Sequence, residues 1–430
     1  MRRLALLGLP VLILLLWLLV VRPPIALDYG VYRLGASAIF GLNGLDANLY
    51  GPTLGYPGAP GLPFTYPPFA ALIFLPIALL PTMVGFTILT LCTVLVAYWL
   101  AKTLASSVRS LSGSPRNGKL KVILIGLWGG LAILSSGPWR DTIDFGQINA
   151  ILLLMCLWDL LGSARGNSKW NRWSGFLVGV AAGIKLTPLV FGFYYLVRRD
   201  FASLGRMIGG FATTVLAAWI VAPSLSQDYW LSVILDPGRI GNLGYADNTS
   251  IRGTLMHLAF PADLVTTLWV ALSLILAAVA GLCIFKTKKH GPYVGVASTA
   301  LLMLLVSPVT WSHHWVWLPL IAWGSYVLLS TQKLPKVLGW TTGVITVLMA
   351  IAFWISPKWI AFLSGSNADG QMSELSMLLV SIGSICAYLL CVLWACALLA
   401  SRRSSLAYDG PFESPPTHVI VRAGGGSSPR

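Results

Sequence analysis

The chain has 430 residues, of which 56% are hydrophobic and only 10% are charged, whereas an ordinary soluble domain is about 25% charged. This composition excludes a small globular core, a disordered chain, a collagen-like repeat and a disulfide scaffold. The formal net charge of +15 comes from basic clusters that separate apolar runs, so the positive-inside rule of membrane proteins explains it better than nucleic-acid binding does. We therefore predict an all-α, polytopic integral membrane protein with no nucleic-acid partner.

The amino-terminal region predicts an anchor followed by an external loop. Residues 4–21 form an uncharged apolar run behind Arg2 and Arg3, without a small-residue cleavage site, which favours an uncleaved first helix with a cytoplasmic amino terminus. Residues 22–67 then lie outside and are rich in Gly, Pro and Tyr. Long external loops of this kind usually carry function.

The remaining apolar runs predict about twelve membrane segments with both termini in the cytoplasm. Residues 68–101 make one net crossing, with a kink near Pro76 and Pro81, and residues 174–197 form two short helices that meet at Lys185. Further spans are predicted at 121–136, 148–162, 201–222, 264–285, 291–309, 315–330, 337–355 and 375–400. Residues 1–400 thus form one transmembrane catalytic domain, and the Ser-, Pro- and Gly-rich residues 401–430 form a disordered cytoplasmic tail.

This topology gathers unusual polar and aromatic residues on the external face. Ionisable groups near hydrocarbon are rare and are functional candidates by default, so we predict a single external pocket. Its candidate residues are Asp28, Tyr32, Tyr66, Gln147, Asn149, Lys185, Arg239, Arg252, Trp311, His313 and His314.

Structural alternatives exist for several of these residues. Asp28 could be a solvated loop residue or a helix cap, Lys185 could snorkel, and the two histidines could belong to an interfacial aromatic belt. Gln147 and Asn149 could join helices by hydrogen bonds. Two further patterns are weak signals: Asp141 and Asp144 as a divalent-metal pair, and Asn248-Thr249-Ser250 as a glycosylation sequon.

The chemistry that fits such a pocket is sugar transfer from a polyprenyl phosphate. A carboxylate can accept the proton of an attacking hydroxyl, and Arg, Lys or His donors can stabilise the charge that develops on the leaving phosphate. The sequence contains neither a Walker A pattern nor a Rossmann glycine-rich turn, so no nucleotide cofactor is expected. Single displacement with inversion is the simpler route, because no second carboxylate is clearly placed as a nucleophile.

Five motifs in chain order resemble those of glycosyltransferase family 87, and within it the actinobacterial α-1,2-mannosyltransferases. The similarity extends over about residues 1–330, and no motif matches from residue 337 onward. The motifs are Asp28-x-x-Val-Tyr32, Leu-Pro-Phe-Thr-Tyr-Pro-Pro at 62–68, Phe-Gly-Gln-Ile-Asn at 145–149, Gly-Ile-Lys-Leu-Thr-Pro at 183–188 and Ser-Pro-Val-Thr-Trp-Ser-His-His-Trp-Val-Trp at 307–317.

The resemblance implies a GT-C fold, a polyprenyl-phosphate-mannose donor and inversion from a β-linked donor to an α-linked product. It places the catalytic base at the aspartate of the first external loop, which is Asp28, and one of His313 and His314 near the donor phosphate or sugar. Lys185, Gln147 and Asn149 match motif positions to which we assign no individual role.

We therefore expect a multi-pass plasma-membrane α-1,2-mannosyltransferase of the cell envelope, with its active site on the periplasmic or extracellular side. Its acceptor is a mannose hydroxyl of a membrane glycolipid, either phosphatidylinositol mannoside or lipomannan, and we expect neither a metal nor a cofactor. Alternatives are an arabinofuranosyltransferase of the same family, a transporter or flippase of lipid-linked sugars, and a non-catalytic membrane partner. The expected donor-binding residues are His313, His314, Lys185, Arg239 and Arg252, and those that shape the substrate sites are Tyr32, Tyr66, Gln147, Asn149 and Trp311.

Overall fold

The computed structural model describes residues 26–42, 48–51, 62–112, 119–162, 172–288, 291–366 and 372–401, with four further positions between 9 and 13. The predicted first helix at 4–21 and the predicted tail at 401–430 lie almost entirely outside these described residues, as does part of the predicted external loop. Within the described ranges the protein is helical and forms no β-strand. The predicted all-α class is thus confirmed for this part of the chain.

The helices follow the apolar runs of the sequence. Short 3-10 turns at Thr187–Val190, Val233–Leu235, Pro237–Ile240 and Ser312–Trp317 interrupt the α-helices. The α-helices are α1 Leu27–Phe40, α2 Pro68–Ile73, α3 Leu75–Leu79, α4 Thr82–Ser112, α5 Lys119–Leu134, α6 Gly137–Phe145, α7 Asn149–Leu160, α8 Phe176–Ile184, α9 Phe191–Arg198, α10 Phe201–Val221, α11 Pro223–Leu231, α12 Ile251–His257, α13 Ala262–Lys286, α14 Tyr293–Val306, α15 Leu318–Thr331, α16 Lys336–Ile355, α17 Pro357–Leu363 and α18 Glu374–Ala400.

Five of the described helices are long and apolar enough to cross a membrane: α4 over Thr82–Ser107, α10, α13, α16 and α18. The pair α5 and α6, bent by 78°, makes a sixth if it counts as one broken span. The chain is therefore a multi-pass membrane protein. Besides α5, three helices at predicted spans are shorter than the about 20 residues that a crossing needs: α7, α14 and α15 have 12, 14 and 14 residues. Their ends lead into the segments that surround the site.

Two predicted helix breaks occur where proline and lysine indicated them. The stretch from residue 68 divides into α2, α3 and α4 around Pro76 and Pro81. The Arg33 guanidinium of α1 donates to the carbonyl oxygens of Ile77 and Leu80 at 3.0 and 2.6 Å, which satisfies acceptors that a helix end leaves without partners. After α8, Lys185 adopts an extended conformation with φ −147° and ψ 127°, so the predicted meeting of two short helices at this residue is confirmed.

Glycines allow α8 and α10 to pack backbone against backbone. A β-carbon added at Gly179 of α8 would collide with the carbonyl oxygen of Met207, and one at Gly210 of α10 would collide with that of Phe176. Close approach of this kind is how membrane helices associate without a hydrophobic driving force between them. This contact supports α8, at whose end Lys185 lies.

We expect Gly179→Ala to destabilise the protein by about 1–3 kcal/mol, because the methyl group forces two helix backbones apart. Gly209→Ala on α10 is the matched control, since nothing lies within 4 Å of a β-carbon there and alanine is the better helix former. The measurement is thermal unfolding of both variants in detergent. Equal midpoints for the two variants would contradict the proposed packing.

Candidate functional site

Segments between the helices enclose a cavity of about 620 Å³, a volume typical of small-molecule sites. Six distant parts of the chain contribute to its wall: the start of α1, residues 62–67, residues 145–147, residues 185–187, residues 229–247 and residues 307–314, with Lys358 from α17 in addition. Of the candidate residues, the cavity wall contains Asp28, Tyr66, Gln147, Lys185, Arg239, Trp311, His313 and His314.

Asp28 lies in the first turn of α1, where the positive end of the helix dipole favours a carboxylate. The backbone of Ala26, two residues earlier, fixes this position. Ala26 has a left-handed conformation with φ 49°, and its N–H donates to the carbonyl oxygen of Asp144 at 2.8 Å. Burial raises the pKa of the Asp28 carboxyl, while a hydrogen bond from Gln147 and the charge of Lys185 lower it. The carboxylate therefore faces the cavity as a base stronger than an exposed aspartate.

Two tyrosines orient Gln147 toward Asp28. The Tyr32 hydroxyl donates to Oε1 of Gln147 at 2.8 Å and lies 3.1 Å from the Tyr66 hydroxyl. Because Oε1 is thus an acceptor, the amide nitrogen of Gln147 is left to donate to the Asp28 carboxylate. Tyr32 is fully buried and lies behind Tyr66 rather than on the cavity wall, so it contacts the site through these partners.

Lys185 joins the aspartate side of the cavity to the histidines. Its Nζ donates to Oδ1 of Asn149 at 3.0 Å and lies 2.9 Å from Nε2 of His314. The Asn149 amide in turn donates to the carbonyl oxygen of His313 at 3.0 Å. An ammonium group has three N–H donors, so Lys185 keeps at least one for a ligand in the cavity.

His313 is the least satisfied polar side chain of the site. It is 5% exposed, and neither ring nitrogen has a hydrogen-bond partner. Its ring meets those of Phe145 and His314 edge to face, with centroids 5.6 and 4.7 Å apart. Burial and the charges of Lys185 and Lys358 lower the pKa of His313 well below its ordinary value, so the imidazole is neutral and has one N–H to offer a ligand.

The two candidate arginines lie in different places. Arg239 belongs to the cavity wall and donates to the carbonyl oxygen of Gly51 at 3.1 Å, while its Nε has no partner. Arg252 on α12 is not part of the wall, and its guanidinium carbon lies 5.6 Å from the centre of the Trp269 ring. The predicted gathering of all cationic candidates in one pocket therefore holds for Arg239 but not for Arg252, because α12 directs the latter toward α13.

Three charged residues of the site were not predicted. Asp236, Asp247 and Lys358 line the cavity, so two further carboxylates are present where the sequence had given no clear second one. Asp236 caps the turn that contains Arg239, where its Oδ1 accepts the N–H of Gly238. Lys358 pairs with Asp141 at 2.5 Å, and Ser312 donates to Asp141 at 2.6 Å, which gives this aspartate a role other than the weakly indicated metal pair. Lys358 comes from the region without a family motif, and Asp247 directly precedes the sequon.

The sequon at Asn248 is not a modification site in this structure. Asn248 is fully buried, and its amide donates to the carbonyl oxygens of Leu243 and Pro308 at 2.8 and 3.2 Å. Its Oδ1 accepts the N–H of Thr310 at 3.0 Å. The residue therefore fastens the loop before α12 to the loop after α14, and both loops border the cavity.

Comparison with known proteins gives a consistent family assignment. The sequence model of glycosyltransferase family 87 matches residues 64–308. The chain is 35% identical over 327 residues, 75% of this chain and 74% of the relative, to a polyprenol-phosphate-mannose-dependent alpha-(1-2)-phosphatidylinositol pentamannoside mannosyltransferase of Mycolicibacterium smegmatis.

A second relative is a polyprenol-phosphate-mannose-dependent alpha-(1-2)-phosphatidylinositol mannoside mannosyltransferase of Mycobacterium tuberculosis. It is 33% identical over 313 residues, which cover 70% of each chain. No solved structure matches the chain. From the family match and these identities, the chain belongs to glycosyltransferase family 87.

Proposed function

We propose that the protein transfers mannose from polyprenyl-phosphate-mannose to a mannose hydroxyl of a phosphatidylinositol mannoside or lipomannan, forming an α-1,2 linkage. The observation that carries this proposal is that Asp28, Lys185 and the two histidines line one cavity, although they are far apart in sequence. The names of the relatives support the donor and the linkage.

In the proposed reaction the acceptor hydroxyl oxygen attacks the anomeric carbon of the donor. The bond between that carbon and the phosphate oxygen breaks on the opposite face, and the hydroxyl proton passes to the Asp28 carboxylate. The products are the extended glycolipid and free polyprenyl phosphate, with the anomeric configuration inverted. Positioned carboxylates accept protons in this way when their pKa is tuned by burial, as it is for Asp28.

Charge on the leaving phosphate is stabilised by cations and neutral donors together. Lys185 and Arg239 supply positive charge at the cavity wall, and His313 acts as a neutral hydrogen-bond donor, because burial lowers the pKa of its imidazole and its ring nitrogens have no other partner. The His314 imidazole instead holds Lys185, since its Nδ1 accepts the backbone N–H of Trp311 and its Nε2 lies 2.9 Å from Lys185 Nζ. Preorganised donors in a water-poor site are worth more than the same groups in water. The proposal makes no use of Arg252, which lies outside the cavity wall.

The apolar part of the cavity suits a polyprenyl chain. Val233, Ile234 and Ile240 belong to the wall, and both isoleucines are 38% exposed, next to the partly buried Arg239. A lipid tail along these side chains would place its phosphate beside the guanidinium group. In the same proposal the chain has about twelve membrane segments with both termini cytoplasmic, and the cavity opens on the periplasmic or extracellular side.

The direct test is to incubate the purified full chain in lipid nanodiscs with polyprenyl-phosphate-mannose and phosphatidylinositol mannosides of increasing size. Mass and linkage analysis should find one added α-1,2-mannose and an equal amount of free polyprenyl phosphate. Turnover of a polyprenyl-phosphate-arabinofuranose donor instead would favour the arabinofuranosyltransferase alternative. Movement of the mannosyl lipid across proteoliposomes without a covalent product would favour a transporter.

The raised pKa of Asp28 predicts the acidic limb of the pH profile. A base works only when deprotonated, and burial makes this carboxyl hold its proton to a higher pH than an exposed aspartate. We therefore expect kcat/KM to fall as the pH is lowered, beginning above the range in which ordinary aspartates titrate. The measurement is the initial rate between pH 4 and 9, and a rate that stays flat down to about pH 4 would contradict the assignment.

A further inference from the structure

The Asp247 carboxylate has one oxygen that the protein leaves without a partner. Asp247 is 5% exposed and belongs to the cavity wall. Its Oδ2 lies 3.1 and 2.9 Å from the backbone N–H and the hydroxyl of Ser312, whereas Oδ1 is buried and has no hydrogen bond. Buried carboxylate oxygens normally have partners, and each one that lacks them requires an explanation.

Neighbouring groups hold one oxygen of this carboxylate in place but leave the other without a hydrogen bond. The Ser312 hydroxyl has a single hydrogen, which it divides between Asp247 and Asp141, since it lies 2.6 Å from Oδ2 of the latter. Lys358 pairs with Asp141 at 2.5 Å and keeps N–H groups free at the cavity wall. Burial raises the pKa of Asp247 to about 7, which agrees with a carboxylate that lacks part of its solvation.

The position of Asp247 indicates which substrate it meets. It lies in the loop between Arg239 and α12, and the cavity-lining residues just before it, Asn242 and Tyr245, are exposed. Tyr245 meets Trp311 edge to face with centroids 6.0 Å apart, and the exposed Tyr245 ring offers a stacking face to a sugar. The carboxylates of Asp141 and Asp247, which share the Ser312 hydroxyl, repel a donor phosphate. The phosphate therefore belongs with Lys185 and Arg239. The glycolipid headgroup, which carries hydroxyls and enters from water, fits the Asp247 side.

We propose that Asp247 is a specificity-determining residue whose Oδ1 accepts a hydrogen bond from a hydroxyl of the acceptor sugar that does not react, and that Lys358 donates to the same sugar. This assignment rests on the proposed function. Since the reacting hydroxyl gives its proton to Asp28, the two carboxylates hold one acceptor residue at two of its oxygens. Sugars without a correctly placed second hydroxyl bind weakly, because Oδ1 then remains buried without a partner.

The first experiment compares Asp247→Asn with Asp263→Asn, an exposed aspartate in the first turn of α13 and outside the cavity wall. In nanodiscs with polyprenyl-phosphate-mannose and a synthetic dimannoside acceptor, we expect Asp247→Asn to raise the acceptor KM about tenfold, the usual worth of a hydrogen bond to a charged group. The donor KM and the kcat at saturating acceptor should stay near the wild-type values, and Asp263→Asn should change neither of them nor the acceptor KM.

The second experiment uses acceptors that lack single hydroxyls. For one deoxy position the loss in kcat/KM should be about tenfold with the wild-type chain and absent with Asp247→Asn, because the partner is already missing. Three results would each overturn the assignment. They are the same loss for every deoxy acceptor in Asp247→Asn as in the wild type, a raised donor KM in Asp247→Asn, and abolition of turnover in that variant, as expected if Asp247 were a nucleophile. Absence of mannosyl transfer by the wild-type chain would refute the proposed function itself, which keeps the two failures distinct.

Discussion

The Asp28→Asn variant should transfer mannose about 10²- to 10⁴-fold more slowly than the wild type, the range that general-base catalysis usually contributes. Asparagine keeps the shape of the side chain at the start of α1 but cannot take the proton of the acceptor hydroxyl. The contact with Gln147 and the nearby Lys185 remain available, so donor binding should persist. The measurement is single-turnover transfer at saturating donor and acceptor, together with donor binding to the variant.

Two comparisons make this result specific. Asp263→Asn, which removes an exposed carboxylate outside the cavity wall, should leave transfer unchanged. The residual rate of Asp28→Asn should also lose the acidic limb of the pH profile, since the group that titrates is gone. Near wild-type transfer by Asp28→Asn in a protein that still unfolds at the usual temperature would falsify the assignment of the base.

Most of the helical architecture could be predicted from the sequence, because apolar runs between basic clusters have few other solutions in a membrane. The helices α10, α13, α16 and α18 lie within two residues of the predicted spans. The boundaries at 291–309 and 315–330 were less accurate, since hydrophobicity alone does not show where a helix gives way to a segment that borders a cavity. Ser307-Pro308 ends α14 early, and the 3-10 turn Ser312–Trp317 delays the start of α15 until Leu318.

The contributions of Lys358 and Asp247 could not be predicted, although both residues are visible as charges in the sequence. Lys358 follows a long apolar helix, where a basic residue is as easily explained by interfacial anchoring. Asp247 precedes a pattern that suggests surface modification, whereas the structure buries the adjacent Asn248. Which loops converge depends on how the helices pack, and Asn248 shows this directly through its bonds to two separate loops.

Lys185→Gln should lower kcat about 10²- to 10³-fold, comparable to removing one donor from a preorganised anion site. The glutamine side chain is polar and one bond shorter than that of lysine, and it supplies no charge to the leaving phosphate. Asn149 and His314, which now lie 3.0 and 2.9 Å from Nζ, would retain a polar neighbour. The exposed Lys333 gives the matched control, and Lys333→Gln should leave kcat unchanged.

A change in the pH profile distinguishes this role from a merely structural one. The charge of Lys185 lowers the pKa of Asp28, so its removal should raise that pKa further. A base with a raised pKa keeps its proton to higher pH, and the acidic limb of kcat/KM should therefore move to higher pH in Lys185→Gln but not in Lys333→Gln. A slower enzyme with an unmoved limb would mean that Lys185 acts on the phosphate without influencing Asp28, and unchanged kcat would remove it from the proposed mechanism altogether.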